Sequence, residues 1–203
     1  WLLAYLSLIL VPARSGDGLW RAFPANLWLD GWSRWDSGWY INIAEHGYSN
    51  VLQNVYLNTA FFPLYPLLIK VMAYITGDFH IAGMIIANLS LLLAIIYLYK
   101  LLTLNYDQDL AQRSILLLLL SPFAFFFSAV YSESLFLLFV VLVFNFGSQQ
   151  RWVPAVLFSI LAGATRAVGF LTVLPLIYLY LKSIEFNWRK IRASILWLPL
   201  SVF

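Results

Sequence analysis

Residues 60–75 read Ala60-Phe61-Phe62-Pro63-Leu64-Tyr65-Pro66-Leu67-Leu68-Ile69-Lys70-Val71-Met72-Ala73-Tyr74-Ile75. Whether this run crosses a bilayer or lies along it decides how the rest of the chain is arranged. It is apolar, yet it carries Pro63, Pro66 and Lys70 and is short for a span, which takes about 20 residues. Charges elsewhere decide between the two arrangements. If the run spans, Lys182, Arg189, Lys190 and Arg192 fall on the same side as the polar loop around Asp36. If it lies on the surface, they join Lys100, Arg113 and Arg151 on the opposite side. Seven of the twelve Lys and Arg then share one face, mostly in short loops, as the positive-inside rule prefers. Six of the nine acids, Asp17, Asp30, Asp36, Glu45, Asp78 and Glu133, are left on the other face. Residues 60–75 are therefore expected to form an interfacial helix.

Working outward, the chain of 203 residues is 63% hydrophobic and 10% charged. Soluble domains sit nearer half apolar and a quarter charged, so lipid is the expected solvent. Aromatics reach 18%, nine of them Trp, which suits repeated crossings of the headgroup region. The formal charge of +3 is too small and too dispersed to argue for nucleic acid, and the absence of Cys excludes disulfides and thiolate chemistry. The fold class expected is an all-α polytopic membrane protein in one domain over 1–203. Spans are expected at about 1–11, 81–104, 114–130, 135–146, 153–164, 167–181 and 195–203. A long first outward loop, Pro12 to His80, holds interfacial helices at about 27–46 and 60–75. Cytoplasmic connections then fall near Thr103–Gln112, Gly147–Trp152 and Lys182–Arg192, and outward ones at Ser128–Glu133 and Thr165-Arg166. Both ends lie inside apolar runs, so the chain reads as the N-terminal part of a longer protein, cut at both ends. No internal repeat, Gly-rich phosphate loop or nucleophile elbow is present.

In the first loop Trp28, Trp32, Trp35 and Trp39 are spaced four, three and four apart. On a helix these rings share a sector of roughly 60°. The stripe is either an interfacial belt at headgroup level or a stacking platform for a sugar ring. Asp36 falls beside it and Arg34 on another side. A carboxylate near lipid headgroups is partly stripped of water, which suits a general base; the plainer readings are an N-cap or an ion pair with Arg34. Tyr131-Ser132-Glu133-Ser134 puts an acid at the outer boundary of a span. Arg166 lies between two apolar runs, where a guanidinium needs a partner. A phosphate bound bidentately is one such partner; snorkelling or pairing with Glu133 are the others. With residues 60–75 on the surface, Asp36, Glu133 and Arg166 all face outward. His46, in Ala44-Glu45-His46-Gly47-Tyr48, precedes a glycine that ends a helix. Loop ordering or hydrogen bonding to substrate fits it better than metal ligation.

Arg34-Trp35-Asp36-Ser37-Gly38-Trp39-Tyr40-Ile41-Asn42-Ile43-Ala44-Glu45-His46-Gly47-Tyr48 resembles the first-loop signature of the PIG-V family, the GPI mannosyltransferase 2 enzymes and their prokaryotic relatives. Three further blocks agree in order. They are Ala60-Phe61-Phe62-Pro63-Leu64-Tyr65-Pro66, then Leu120-Ser121-Pro122 through Tyr131-Ser132-Glu133-Ser134-Leu135-Phe136, and Ala164-Thr165-Arg166-Ala167-Val168-Gly169. The resemblance runs from about Ser33 to Phe170. One departure is Trp39, where eukaryotic members often carry His.

The resemblance implies a GT-C-type transmembrane helix bundle and a hexosyltransferase of GPI-anchor biosynthesis or a related pathway. The donor implied is a polyprenyl-phosphate sugar, usually dolichyl-phosphate mannose, and the acceptor a glycolipid or a glycan on the non-cytoplasmic face. An acidic residue of the first outer loop is central to catalysis in such enzymes, and it maps onto Asp36. Asp36 is then expected as general base in an inverting displacement, with Arg166 at the departing phosphate. Arg34, Trp35, His46, Tyr131 and Glu133 are expected to bind and position substrate. No cofactor is required, although Asp36 with Glu133 could hold a divalent metal. Partners are the donor, the acceptor and membrane lipids. The membrane is that of the endoplasmic reticulum in a eukaryote and the plasma membrane in a prokaryote. A transporter or lipid flippase, with Arg166 and Glu133 on a substrate path, would carry internal repeats. A non-catalytic scaffold of the same fold is the third reading.

Overall fold

A computed structural model describes residues 26–48 and 58–187, together with residues 6 and 23. The expected spans at 1–11 (but for residue 6) and 195–203 lie outside the described residues, as do Asp17, Arg189, Lys190 and Arg192. Among the described residues every regular element is helical and none is a strand. The α-helices are α1 (Leu27–Asp30), α2 (Ser37–His46), α3 (Leu64–Thr76), α4 (Phe79–Thr103), α5 (Gln108–Leu120), α6 (Glu133–Ser148), α7 (Trp152–Thr165) and α8 (Val173–Ser183). Single 3₁₀ segments lie at Asn58–Ala60, Pro122–Phe127 and Ala167–Thr172.

The apolar run at 81–104 becomes α4, capped by Asp78, whose Oδ1 accepts the Ile81 N–H at 2.8 Å. Its 25 residues reach about 37 Å, more than the roughly 30 Å of a hydrocarbon core. Among the described residues α4 is the one helix long and apolar enough to cross a membrane; α3, α6, α7 and the helical stretch Ala167–Ser183 are apolar but shorter.

Three expected helices differ in the structure, at 27–46, 114–130 and 167–181. Residues 27–46 do not form one helix, since α1 and α2 are separated by a turn over 31–36. The Trp stripe is therefore split. The expected span at 114–130 is also interrupted. Its helix, α5, starts at Gln108 inside the expected connection 103–112 and stops at Leu120. Pro122 has no N–H to continue the ladder, and Ser121 Oγ accepts the Phe123 N–H to open a 3₁₀ turn instead.

The chain divides into two compact units. Residues 1–89 and 121–134 make the first. In it α2 buries Tyr40, Ile41, Ile43 and Ala44, and α3 buries Tyr65, Ile69 and Ala73 at four-residue spacing. The two helices meet where Tyr40 and Tyr65 pack edge to face at 5.0 Å. Tyr65 is fully buried, and its hydroxyl donates to the Gly83 carbonyl at 3.0 Å. The opposite face of α3 leaves Leu67, Val71, Tyr74 and Ile75 exposed.

Residues 90–120 and 135–203 make the second unit. Val143, Ala155, Val156 and Leu176 form its apolar core, with Phe146, Phe158 and Ile160 packed around it. Phe158 stacks on Phe146 at 5.6 Å and on Phe139 at 6.0 Å. Here the runs at 135–146 and 153–164 fold as continuous helices, whereas the expected span at 167–181 opens as the 3₁₀ segment Ala167–Thr172 before α8.

Candidate functional site

The turn between α1 and α2 forms by trading helical hydrogen bonds for long-range ones. Trp32 N–H donates to the Leu29 carbonyl and Ser33 N–H to that of Asp30, both at 3.1 Å, so α1 closes in tight i→i−3 turns. In a continuous helix the Trp32 carbonyl would accept from Asp36. It accepts the Val130 N–H at 2.8 Å instead. The Asp36 N–H is thereby freed, and it donates to the Tyr131 hydroxyl at 3.3 Å. That same hydroxyl donates to the Arg34 carbonyl at 3.2 Å. Between the two bonds Trp35 has φ 54°, a left-handed conformation that bulky L-residues rarely adopt.

Below this corner Asp30 is 0% exposed. It forms an ion pair with Arg34, four residues on and 8% exposed, and accepts the Phe23 N–H at 3.1 Å. Arg34 thus pairs with the buried Asp30 and not with Asp36. Its Nε and the Ser37 Oγ are buried without a hydrogen-bond partner among the described residues. Ser33 Oγ is hydrogen-bonded to His80 Nδ1, and the Tyr40 hydroxyl to Ser132 Oγ at 2.8 Å. These ties seat the corner on the first turn of α4 and on the 128–134 loop.

Asp36 occupies the N-cap position of α2, yet its side chain makes no capping bond. It is exposed, and among the described residues no hydrogen bond or ion pair engages its carboxylate. Both plainer readings of the residue therefore fail: it is neither a cap nor the partner of Arg34. The backbone beneath it is fixed while the acid itself stands open to solvent.

The aromatic rings of this corner and of the 122–127 segment form a connected series. Trp28 meets Trp32 edge to face at 6.5 Å, Trp32 stacks on Phe125 at 5.4 Å, and Trp35 meets Phe125 edge to face at 6.2 Å. Phe126, next in sequence, packs edge to face on Tyr131 at 5.2 Å. Trp28 and Trp35 remain exposed at 62% and 54%, whereas Trp39 stacks on Phe61 at 5.9 Å. Of the expected stripe, Trp35 is the exposed ring next in sequence to Asp36.

Glu133 opens α6 and is half-buried, with one carboxylate oxygen sealed from solvent. Burial pushes the Tyr131 phenol above its ordinary range, and the Asp36 and Glu133 carboxylates both add to that shift. The first unit thus gathers Arg34, Trp35, Asp36, Tyr131 and Glu133 around one corner. His46 ends α2, exposed, with Nδ1 3.7 Å from Glu45. It lies about 15 Å along the helix from Asp36. Gly47, at φ 81°, ends α2 in a backbone conformation that L side chains resist. Among the described residues no group of three or more His, Asp and Glu side chains converges as a metal would need.

Arg166 belongs to the second unit. Its backbone is extended between α7 and the 167–172 turn; its N–H donates to the Ala162 carbonyl at 3.1 Å and its carbonyl accepts the Gly169 N–H at 2.8 Å. Gly169 rests directly on the end of α7. A Cβ there would stand 2.2 Å from the Ala162 carbonyl oxygen and 2.4 Å from the Gly163 nitrogen. Sequence reasoning missed this glycine as well as Asp30, Ser33 and His80. The four-residue spacing of Asp30 and Arg34 was a usable signal. His80 carried none, because its partner is 47 residues away.

The family model described as Mannosyltransferase (PIG-V) matches residues 7–190. The chain is 33% identical to GPI alpha-1,6-mannosyltransferase 2 of Rattus norvegicus, over 80% of its own length and 34% of that protein's. It spans about a third of the length of this curated relative. No solved structure matches the chain. The match covers both the corner that presents Asp36 and the turn that carries Arg166, and on it the chain belongs to the PIG-V mannosyltransferase family.

Proposed function

We propose that this chain forms the catalytic first loop and adjoining helices of a membrane mannosyltransferase of GT-C type. The sugar passes from a polyprenyl-phosphate donor, dolichyl phosphate in a eukaryote, to a hydroxyl of a glycolipid or glycan on the non-cytoplasmic face. The acceptor oxygen attacks the anomeric carbon as the bond to the phosphate oxygen breaks, inverting the configuration. Asp36 takes the acceptor proton, and the polyprenyl phosphate departs carrying the electron pair of the broken bond. Arg166 is proposed to pair with that phosphate, on the chemistry of a guanidinium beside apolar runs. Trp35 offers its exposed ring to a sugar, and Glu133 and His46 remain proposed as substrate contacts. No metal enters these steps.

The observation that carries this reading is the state of Asp36: an exposed carboxylate with no partner among the described residues, on a backbone that four sequence-distant residues hold in place. A base must be open to its proton and fixed in position. The exposed apolar face of α3, Leu67, Val71, Tyr74 and Ile75, supports an interfacial placement beside this loop, at the depth of lipid headgroups.

The test is Asp36→Asn in membranes from cells expressing the full-length protein, with polyprenyl-phosphate mannose as donor. Turnover is expected to fall at least about 100-fold, the scale of a lost general base. The yield and thermal stability of the protein should not change, because the carboxylate holds no partner among the described residues. Full activity in this variant would overturn the assignment.

A further inference from the structure

Tyr131 was expected to touch substrate, but its surroundings leave it little means to do so. The residue is 6% exposed. Its hydroxyl has one hydrogen, given to the Arg34 carbonyl, and it accepts the Asp36 N–H from the other side. Burial, reinforced by the Asp36 and Glu133 carboxylates, keeps the phenol protonated, so the donated bond persists at any working pH.

The two bonds straddle a single residue. Trp35, at φ 54°, lies between Arg34 and Asp36 in a left-handed conformation that is disfavoured for a bulky L-residue. Other ties fix the chain on one side of it or the other. Asp30 and His80 secure Arg34 and Ser33, and Ser132 secures Tyr40 in α2. Across residue 35 the Ser37 N–H of α2 donates to the Arg34 carbonyl at 3.2 Å, and the Tyr131 hydroxyl is the side-chain tie that engages both Arg34 and Asp36. It comes from 95 residues away, so neither α1 nor α2 can supply it.

We propose that Tyr131 is a positioning residue for Asp36: its hydroxyl, bridging the Arg34 carbonyl and the Asp36 N–H, holds Trp35 left-handed and so sets where the Asp36 carboxylate points. The inference rests on Asp36 being the base. It differs from a general folding role in one respect. If the hydroxyl matters because residue 35 must be left-handed, a residue that accepts that conformation freely relieves the need for it. Glycine is that residue.

The experiment is a cycle in the full-length protein, measuring kcat and donor KM with polyprenyl-phosphate mannose. Tyr131→Phe is expected to lower kcat at least tenfold and to leave donor KM within twofold. Trp35→Gly lowers activity on its own account, since an exposed ring beside the base is lost. In that background, however, adding Tyr131→Phe should lower kcat less than threefold further. A wild-type kcat in Tyr131→Phe, or an equal fold-loss in both backgrounds, overturns the proposal. Should Tyr131→Phe fail to accumulate, Trp35→Val with Tyr131 intact gives the same reading, because a β-branched residue resists positive φ. Its kcat should fall at least tenfold below that of Trp35→Gly, and equality overturns the proposal. An inactive Asp36→Asn beside a normal Tyr131→Phe removes the positioning role alone. A fully active Asp36→Asn removes the general base and this role with it.

Discussion

The corner at residues 30–36 and the junction at residues 165–169 each turn the chain sharply between helices beside a residue proposed to act on substrate, and they are built by opposite means. At the first, the backbone leaves the helical path because partners from far along the chain engage it, Val130 at Trp32 and Tyr131 at Arg34 and Asp36, while His80 holds the Ser33 side chain. At the second, the contacts are local. Gly169 lies on Ala162 and Gly163, Thr165 Oγ1 donates back to the Leu161 carbonyl, and Ser159 bonds Thr172 thirteen residues on. The first corner is held by polar ties that form only when the unit is assembled. The second is held by the absence of side-chain volume. One can be loosened by removing a single atom, whereas the other is disturbed most by adding one.

The most costly break is expected at the buried ion pair under the first corner. Arg34→Met leaves the Asp30 carboxylate 0% exposed and without its cation. Removing one partner of such a pair costs about 3–5 kcal/mol. The expected outcome is a clearly lowered thermal unfolding midpoint in detergent, with loss of transfer activity as the corner slips. Replacing both partners, Asp30→Leu with Arg34→Met, should recover most of the stability, since no buried charge is then stranded. If the double variant is as unstable as the single, the pair contributes through more than charge matching, and the first corner depends less on its polar ties than described above.

The difference in construction also explains which parts the sequence disclosed. Helices α4, α6 and α7 begin and end within two residues of the apolar runs Ile81–Leu104, Leu135–Phe146 and Val153–Ala164. Their backbone bonds close internally, so hydropathy and punctuation by Pro, Gly and charge are enough. Asp36 stood out as an acid in an aromatic stretch, and the ordered family blocks pointed to the same residue. The break before it was hidden. The Trp spacing runs on through 31–36 with helical period, and nothing local opposes it except Gly31. What breaks the helix is the loop at 128–134, about a hundred residues later. The same loop explains why the run 114–130 is not one helix, since its last residues serve the corner and not a helical ladder. The partner of Arg34 was hidden in the same way, because burial, which local sequence does not show, selects Asp30 over Asp36.

A middle-sized effect is expected from adding one methyl group at the second corner. In Gly169→Ala the new Cβ meets the Ala162 carbonyl carbon at 2.3 Å and its oxygen at 2.2 Å. Both atoms belong to backbone, so no rotamer change can relieve the contact. The 167–172 turn must lift from α7, at a cost of about 3 kcal/mol, the upper part of the usual range for overpacking. Thermal unfolding in detergent measures this. Arg166, bonded to Gly169 through its carbonyl, should shift with the turn. Donor KM is the parameter expected to rise if Arg166 meets the donor phosphate. A variant as stable as the parent would show that the junction can spread at little cost, and the contrast between the two corners would then lose its second half.

The smallest effect tests whether the second corner has a polar component of its own. Thr172 Oγ1 donates to the Gly169 carbonyl at 2.7 Å and lies 2.6 Å from Ser159 Oγ. A hydroxyl has one hydrogen, so Ser159 is the donor to Thr172. Ser159→Ala removes that donor and leaves the Thr172 bond to Gly169 intact. The expected loss is about 1 kcal/mol, the net value of one ordinary hydrogen bond. That is well below the cost at Gly169, and activity should stay near that of the parent. An equal or greater loss than in Gly169→Ala would mean that the hydroxyl pair, not the close backbone approach, sets the junction. Both corners would then be polar constructions, differing only in how far along the chain their partners lie.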